Sequence, residues 1–126
     1  MQTKSQDTFE AVANEWFAAK IADKSESYKA RTWRILEKDL FSRIGQISAG
    51  DLTGQMLLAA LRAIEVRTID IAHRAKQTAS QVMRYAVATG RADRDIAADL
   101  TGALKPRSVK HAAMLLDPSE IGQLLR

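Results

Sequence analysis

One amphipathic segment, 68–89, is the longest in the chain and most constrains how the chain can fold. Its apolar side chains recur at three- and four-residue steps, which is the spacing of one helix face and not the alternation of a strand. Thr68 can cap the start of a helix, and Gly90 can end it in the left-handed conformation. The pattern therefore predicts a helix from about Thr68 to Thr89. Its predicted buried face consists of Ile69, Ala72, Ala79, Val82, Met83 and Ala86.

The first third of the chain shows the same helical period. A first helix is predicted from Asp7, with Glu10 completing a capping box, to about Ala22. A second helix is predicted to begin near Ser27, after the break at 23–27. The side chains predicted to point inward are Phe9, Val12, Ala13, Trp16, Phe17 and Ile21 in the first helix and Tyr28, Trp33, Leu36 and Leu40 in the second.

The middle and end of the chain complete a helical bundle. The stretch FSRIGQISAGDLTG (41–54) carries three glycines in ten residues and is predicted to be a loop that still buries Ile44, Ile47 and Leu52. Thr53 can cap a third helix that buries Met56, Leu57, Ala60, Leu61 and Ile64, and a short fifth helix over roughly 93–104 buries Ile96, Ala97, Leu100 and Leu104. The predicted class is all-α, a compact bundle of four to five helices with a basic C-terminal linker.

The composition is that of one soluble, intracellular domain. The 126 residues, 46% of them hydrophobic, suffice for a single core. The absence of cysteine excludes disulfides and thiolate metal sites and is consistent with a reducing cytoplasm. The longest apolar run, MLLAAL at 56–61, is too short to span a bilayer, and the N-terminus has no apolar secretory segment. A cytoplasmic protein without a membrane partner is expected.

The net charge of +4 is unevenly distributed. Residues 62–94 carry seven basic and three acidic residues, whereas 1–61 carry eight of each and 95–126 carry four of each. Two shorter clusters, 24–34 and 105–111, are basic as well. Concentrated positive charge indicates a polyanionic partner, most often nucleic acid, although solvated helix faces explain such residues equally well.

No familiar catalytic or cofactor-binding constellation is present in the sequence. Histidine occurs only at 73 and 111, without a second ligand at metal spacing, so no metal site is predicted. There is no glycine-rich phosphate loop and no nucleophile elbow around any serine, and most carboxylates lie beside basic residues at helical spacing. We therefore expect no cofactor, no small-molecule ligand and no catalytic residue in this chain.

Two polar surfaces are candidate DNA contacts. On the long helix, Arg74, Gln77, Gln81 and Arg84 recur at three- and four-residue steps and form one stripe. Arginine and glutamine read guanine and adenine edges in a major groove, but such a stripe is also typical of a solvated helix face. The start of the second helix combines cations, hydroxyls and helix N-terminal amides, which suits phosphate contacts. Its candidate residues are Lys24, Ser25, Ser27, Tyr28, Lys29 and Arg31.

Three aromatic side chains near these surfaces have a structural interpretation. Tyr28 fits equally well as a core aromatic whose hydroxyl lies at the rim. Trp16 and Trp33 lie on apolar stripes, which favours core packing over base stacking.

The chain ends with LLDPSEIGQLLR (115–126), which specifies a helix but gives it almost no length. Asp117 is an N-cap, Pro118 suits the first helical position, and Glu120 completes a capping box. Such a short stub is not stable alone, because helix nucleation is unfavourable and most helix stability comes from packing. We expect that its packing partner is missing from this chain.

The order and lengths of these segments resemble the N-terminal core-binding (SAM-like) domain of phage integrases, in the tyrosine recombinase family. The resemblance covers almost the whole chain and is carried by TFEAVANEWFAAK (8–20), KSESYKARTWRILEKDLFSRIGQISAGDLTGQMLLAAL (24–61), IAHRAKQTASQVMRYAVATGRA (71–92) and DIAADLTGAL (95–104). One departure is visible. Where the family usually has Asn-Pro opening the last short helix, this chain has Asp95 and Ile96.

The resemblance implies a module that positions double-stranded DNA for strand exchange, together with other protomers of a parent recombinase. It implies four parts: an N-terminal tail (1–6), the helical DNA-binding domain (7–104), a basic interdomain linker (105–116) and the start of a truncated catalytic domain (117–126). The nucleophilic tyrosine and the catalytic arginines of the family would belong to the missing part.

The resemblance also extends the set of candidate DNA contacts. Helices that lie across the major groove add Arg67, Thr68 and His73 to the stripe on the long helix. A linker that follows the DNA backbone adds Lys105, Arg107 and Lys110.

Two other hypotheses remain open at this point. A helical protein-interaction bundle could use the same basic face to bind an acidic partner. A self-contained enzyme is disfavoured, because no catalytic constellation is present. Binding to duplex DNA at low salt separates the first alternative from a DNA-binding domain.

Overall fold

A computed structural model of the chain describes residues 7–106, and the regular structure in that range is helical apart from one isolated antiparallel bridge between Thr8 and Ser48. Four helical segments, 9–21, 26–44, 54–67 and 69–88, precede a short 3₁₀ turn. The first segment is α1 (Phe9–Trp16) with a π-helical extension (Phe17–Ile21). The second is α2 (Glu26–Arg34) with a π-helical extension (Ile35–Leu40) that continues into α3 (Phe41–Ile44). The third and fourth are α4 (Gly54–Arg67) and α5 (Ile69–Ala88), and the 3₁₀ turn is Ile96–Leu100. The prediction of an all-α bundle is confirmed.

Side-chain caps define where the four segments begin. The hydroxyls of Thr8, Ser25, Thr53 and Thr68 accept hydrogen bonds from the backbone N–H three residues later, at 3.1 to 3.4 Å. The caps at 53 and 68 agree with the sequence prediction. Helices α1 and α2 begin at Phe9 and Glu26, close to the predicted starts near Asp7 and Ser27. The predicted cap of the first helix is wrong, because Thr8, not Asp7, has the extended backbone of a cap and accepts the bond.

The glycine-containing loop closes over the start of α1. The second helical segment runs through Phe41–Ile44, which had been predicted as loop, and ends at Gly45. Beyond that point, the carbonyls of Gly45 and Ile47 accept from the N–H groups of Glu10 and Phe9 at 3.1 and 2.8 Å. These N–H groups belong to the first turn of α1 and have no partner inside their own helix. The loop therefore satisfies the α1 terminus and fixes it to α3.

Helix α5 lies at the centre of the bundle. It packs against α1, α4, the π-helical extension of α2 and the 3₁₀ turn. Ala72, Ala75, Ala79 and Ala86 are fully buried, so its neighbours can approach its backbone closely. The predicted inward residues of α5 are buried with one exception, Ile69, which is half-buried in the first turn.

Two predictions near the edges of the bundle are wrong. Met56 was predicted inward on α4 but is 42% exposed. The predicted fifth helix over 93–104 is only the turn Ile96–Leu100, because Asp95 fixes its start by accepting from the Ala97 N–H at 2.9 Å and Gly102 ends it with φ of +86°. The predicted terminator of α5, Gly90, does adopt the left-handed conformation, with φ of +81°.

Some sequence predictions lie outside the described residues. These are the tail (1–6), most of the linker including Arg107 and Lys110, and the capping box at 117–120. Within 7–106, none of the helices combines the length and the apolar character that crossing a bilayer requires.

Candidate nucleic-acid interface

Two adjoining grooves run along α5 where it faces α2 and the end of the first helical segment. The smaller groove, about 280 Å³, lies between α2 and α5. The larger, about 650 Å³, is bounded by the end of segment 9–21, the start of α2 and the second half of α5. Tyr28 and Gln81 line both grooves, so they form one surface. We call it the α2–α5 face and define it by Lys20, Lys24, Tyr28, Arg31, Thr32, Arg74, Gln77, Gln81 and Arg84.

The α2–α5 face is positively charged. The linings of its grooves contain Lys20, Lys24, Arg31, Arg74 and Arg84 and no carboxylate among the described residues. Within 7–106, none of these five side chains forms an ion pair. Because like charges that lack counterions repel one another, such a surface favours binding of an anion.

Helix periodicity brings the predicted stripe of α5 to this face. Arg74, Gln77 and Gln81 line the smaller groove, and Gln81 and Arg84 line the larger one. The two surfaces that the sequence suggested separately therefore meet, since Tyr28 and Arg31 of α2 lie across the smaller groove from α5. The Arg31 guanidinium carbon lies 6.0 Å from the centre of the Tyr28 ring, at the outer limit of a cation–π contact.

The other candidates at the start of α2 make contacts within the protein. Ser25 is the N-cap, and its hydroxyl lies 3.4 Å from that of Ser27. The Lys29 ammonium lies 3.1 Å from the Glu26 carboxylate and 3.4 Å from the Ala22 carbonyl. Lys29 is thus directed toward the turn that joins the first two helical segments.

Aromatic residues pack beside and beneath the α2–α5 face. Trp16 is 4% exposed, and its buried ring contributes to the floor of the larger groove. Trp33 packs edge-on against Phe17 and Phe41, with ring centres 5.3 and 5.8 Å apart. Tyr28 is half-buried and packs on the core from the groove. Trp16 and Trp33 therefore act in packing, as predicted.

Sequence reasoning missed two residues of the face, Thr32 and Lys20. Thr32 is 8% exposed and lines the smaller groove, and its hydroxyl forms no hydrogen bond within 7–106. A buried hydroxyl without a partner is unfavourable in the free protein and can be satisfied by a bound polar group. The available signal was spacing, because Thr32 lies one turn beyond Tyr28 and Lys20 lies four residues before Lys24.

Three other candidates, Arg67, Thr68 and His73, line neither groove. Arg67 donates to the Asp39 carboxylate at 2.8 Å, and Thr68 caps α5. His73 Nε2 lies 2.6 Å from the carbonyl oxygen of Lys105. We call this region the α4–α5 junction and define it by Glu65, Arg67, Thr68, His73 and Lys105.

A hydrogen-bonded network borders the larger groove. Arg91 donates to both oxygens of Glu15, at 2.9 and 2.7 Å, and the Tyr85 hydroxyl donates to one of them at 3.2 Å. The hydrogen bonds from Arg91 lower the pKa of Glu15, and those to Glu15 raise the pKa of Arg91. The network holds Tyr85 in the wall of the groove and ties segment 9–21 to the end of α5.

The α2–α5 face carries side chains that can bind a ligand through hydrogen bonds and charge. Its side chains supply guanidinium, ammonium, amide and hydroxyl donors. In the described part of the chain, no three or more His, Asp and Glu side chains are grouped so that they could hold a metal ion.

Comparison with known proteins gives a consistent result. A sequence model of the phage integrase central domain matches residues 9–103. The chain is 34% identical over 107 residues to the prophage integrase IntZ of Escherichia coli K12, covering 85% of this chain and 27% of that protein. It is 35% identical over 105 residues to the integrase of Enterobacteria phage P4, covering 82% and 24%. It thus spans about a quarter of the length of these curated relatives.

A solved structure supports the same assignment. The NMR structure of a fragment of the phage integrase IntS of E. coli superimposes with a TM-score of 0.70 at 29% identity, covering 80% of this chain and 86% of that fragment. The helical architecture and the match over 9–103 agree with one another. The chain belongs to the phage integrase central domain family.

Proposed function

We propose that this chain is the DNA-binding, core-site-binding domain of a phage-type integrase, a site-specific tyrosine recombinase. In this role it positions double-stranded DNA for strand exchange by a catalytic domain that this chain does not include. The observation that carries the proposal is the α2–α5 face, where five cations and, among residues 7–106, no carboxylate line two joined grooves. The similarity to phage and prophage integrases supports the class proposed for the parent protein.

The length of the stripe on α5 matches the width of a DNA groove. Arg74 and Arg84 are ten residues apart, which corresponds to about 15 Å along a helix. The major groove of B-DNA is about 12 Å wide and admits a helix. An α5 that lies across this groove can therefore bring Arg74 and Arg84 to the phosphates on its two sides. Gln77 and Gln81, which lie between them, face the base edges.

This arrangement assigns different roles to the two residue types. Arginine at the ends of the stripe supplies affinity through charge and release of counterions, independent of sequence. Glutamine in the middle supplies sequence preference, since its amide can bond adenine through two atoms. Thr32 on α2 lines the smaller groove, and its hydroxyl, which has no hydrogen bond within 7–106, can bond a phosphate oxygen there.

The test is fluorescence anisotropy with duplexes from the DNA that flanks the gene and with scrambled duplexes, each at two salt concentrations. We expect binding that weakens steeply with salt. Arg74→Ala and Arg84→Ala should each weaken binding to all duplexes and reduce the salt slope by about 1. Gln77→Ala and Gln81→Ala should reduce the difference between flanking and scrambled duplexes, with little effect on the slope.

Arg43→Ala is the matched control. Arg43 is an exposed arginine on α3 that lines neither groove of the α2–α5 face, and its loss removes the same charge. If Arg43→Ala and Arg74→Ala weaken duplex binding equally, the binding depends on net charge and not on the α2–α5 face. Failure of the chain to bind any duplex at low salt, together with tight binding to an acidic protein, would favour the protein-interaction alternative.

A further inference from the structure

Lys105 is held through both of its backbone polar groups. Its N–H donates to Oε2 of Glu65 at 2.6 Å, and its carbonyl oxygen lies 2.6 Å from Nε2 of His73. Glu65 lies in the last turn of α4 and His73 in the second turn of α5. Only Thr68 separates these helices, as the C-cap of α4 and the N-cap of α5.

The residues on either side of Lys105 restrict it further. Leu104 is 6% exposed and packs in the core, and Gly102, with φ of +86°, turns the chain back toward α4. Pro106 follows, and a proline favours an extended backbone in the residue before it. The side chain of Leu104, the two hydrogen bonds and the proline together restrict the backbone at Lys105.

These hydrogen bonds contribute little to folding. Both are at the exposed surface, where a hydrogen bond contributes only a modest net stabilisation, and the core is built from residues elsewhere. Their effect is geometric, because they fix one peptide unit relative to two helices. The sequence that follows this unit contains Arg107 and Lys110, two of the predicted backbone contacts.

We propose that Glu65 and His73 are positioning residues that clamp Lys105 and so present the basic linker to DNA from a defined direction. His73 then acts on DNA through the linker and does not touch it. The clamp lowers the conformational entropy that the linker loses when its cations bind phosphates. This inference rests on the proposed DNA-binding function. It adds a positioning role for Glu65 and His73 that is separate from the contacts of the α2–α5 face.

The first experiment measures the clamp without DNA. Amide hydrogen exchange of the full 126-residue chain should show a protected Lys105 N–H. Glu65→Ala should speed its exchange about five- to tenfold. Glu65→Gln, which keeps an acceptor oxygen, should retain most of the protection, and core amides such as that of Val82 should not change. A Lys105 amide that exchanges in the native chain as fast as in an unstructured peptide would overturn the clamp.

The second experiment separates positioning from direct contact. Binding to a labelled mixed-sequence duplex at low salt is compared for His73→Ala in the native chain and in a chain with Lys105, Arg107 and Lys110 changed to Ala. The clamp survives those linker changes, because it uses only the backbone of Lys105. We expect His73→Ala to weaken binding about three- to tenfold in the native chain and to have no effect without the linker cations.

His73→Gln is the conservative control, since its amide nitrogen can replace Nε2 as a donor, and it should restore binding. Equal weakening in both backgrounds would show that His73 contacts DNA directly. No weakening in either background would show that the clamp has no part in binding. If the native chain binds no duplex, the proposed function fails and this role of the linker fails with it, while amide exchange still decides whether the clamp exists.

Discussion

The α2–α5 face and the α4–α5 junction are both polar, and the sequence proposed residues of both as DNA contacts. They differ in how their side chains are satisfied. Arg31 and Arg74 line a groove and form no ion pair within 7–106. In the junction, Arg67 is paired with Asp39 and His73 is bonded to the carbonyl of Lys105. A cation that forms no ion pair with its own protein is available to bind an anionic ligand. A cation that is already paired contributes to the contacts of the fold instead.

The difference comes from contacts between residues far apart in the sequence. The partners of Arg67 and His73 lie 28 and 32 residues away, and the partner of the Lys105 N–H lies 40 residues away. Helical periodicity cannot identify such pairs, because it describes one helix at a time. Residue polarity in the sequence therefore marks both surfaces as candidate DNA contacts. Only the hydrogen bonds and ion pairs in the structure distinguish one surface from the other.

The largest effect is expected from the apolar anchor of the junction. Leu104→Ala should lower the free energy of unfolding by about 2–5 kcal/mol, since it removes a buried side chain and leaves a cavity. Urea denaturation followed by circular dichroism measures this change. Lys105→Ala, an exposed neighbour, should change stability by about 0.5 kcal/mol or less. A loss below about 1 kcal/mol for Leu104→Ala would mean that Leu104 does not anchor this end of the chain in the core.

Two arginine substitutions compare the regions directly. Arg74→Ala should weaken duplex binding about tenfold at low salt, within the range for a lost arginine contact to nucleic acid. Arg67→Ala should change binding less than about twofold, and because its pair with Asp39 is 59% exposed on the arginine side, stability should fall by about 1 kcal/mol or less. Anisotropy and thermal melting measure both. Equal losses of binding for Arg74→Ala and Arg67→Ala would indicate that Arg67 also contacts DNA. The α2–α5 face and the α4–α5 junction would then not differ in function.

A third substitution should stabilise the protein. Thr32→Val keeps the shape of the side chain and removes a buried hydroxyl that has no partner within 7–106, so stability should rise by up to about 1 kcal/mol. Binding to duplex DNA should weaken if the hydroxyl bonds a phosphate. Thr53→Val is the matched control, since loss of a cap should destabilise by about 1 kcal/mol. Destabilisation by Thr32→Val would indicate that the hydroxyl has a structural role.

The helices themselves are readable from the sequence because their signals are local. The cap at Thr68 and the left-handed Gly90 are recognisable from residues within one turn. The errors arose where a distant segment decides. Met56 lies on the apolar side of α4 by spacing, yet the neighbouring elements leave it 42% exposed.

The candidate site was only partly predictable for the same reason. The stripe of α5 follows from the helical period, and Arg74 and Gln77 do line the groove. That this stripe meets Tyr28 and Arg31 depends on how α2 packs on α5, which the sequence pattern does not specify. Whether each of these residues contacts DNA stays a prediction.

The smallest expected effect concerns Arg91, a paired cation at the border of the α2–α5 face. Because Arg91 lowers the pKa of Glu15 below its ordinary value of 4.5, the native state favours the ionised carboxylate. The stability from this pair is therefore fully present above pH 4.5 and is lost as the pH falls through the lowered pKa. Thermal melting from neutral pH down to about pH 3 should show this loss in the native chain.

Glu15→Gln isolates the contribution of the pair from that of the other carboxylates. The amide still accepts a hydrogen bond from Arg91 but does not titrate, so the difference in melting temperature between native and variant chains should shrink as the pH falls. A difference that stays constant across this range would mean that Arg91 is not paired with Glu15.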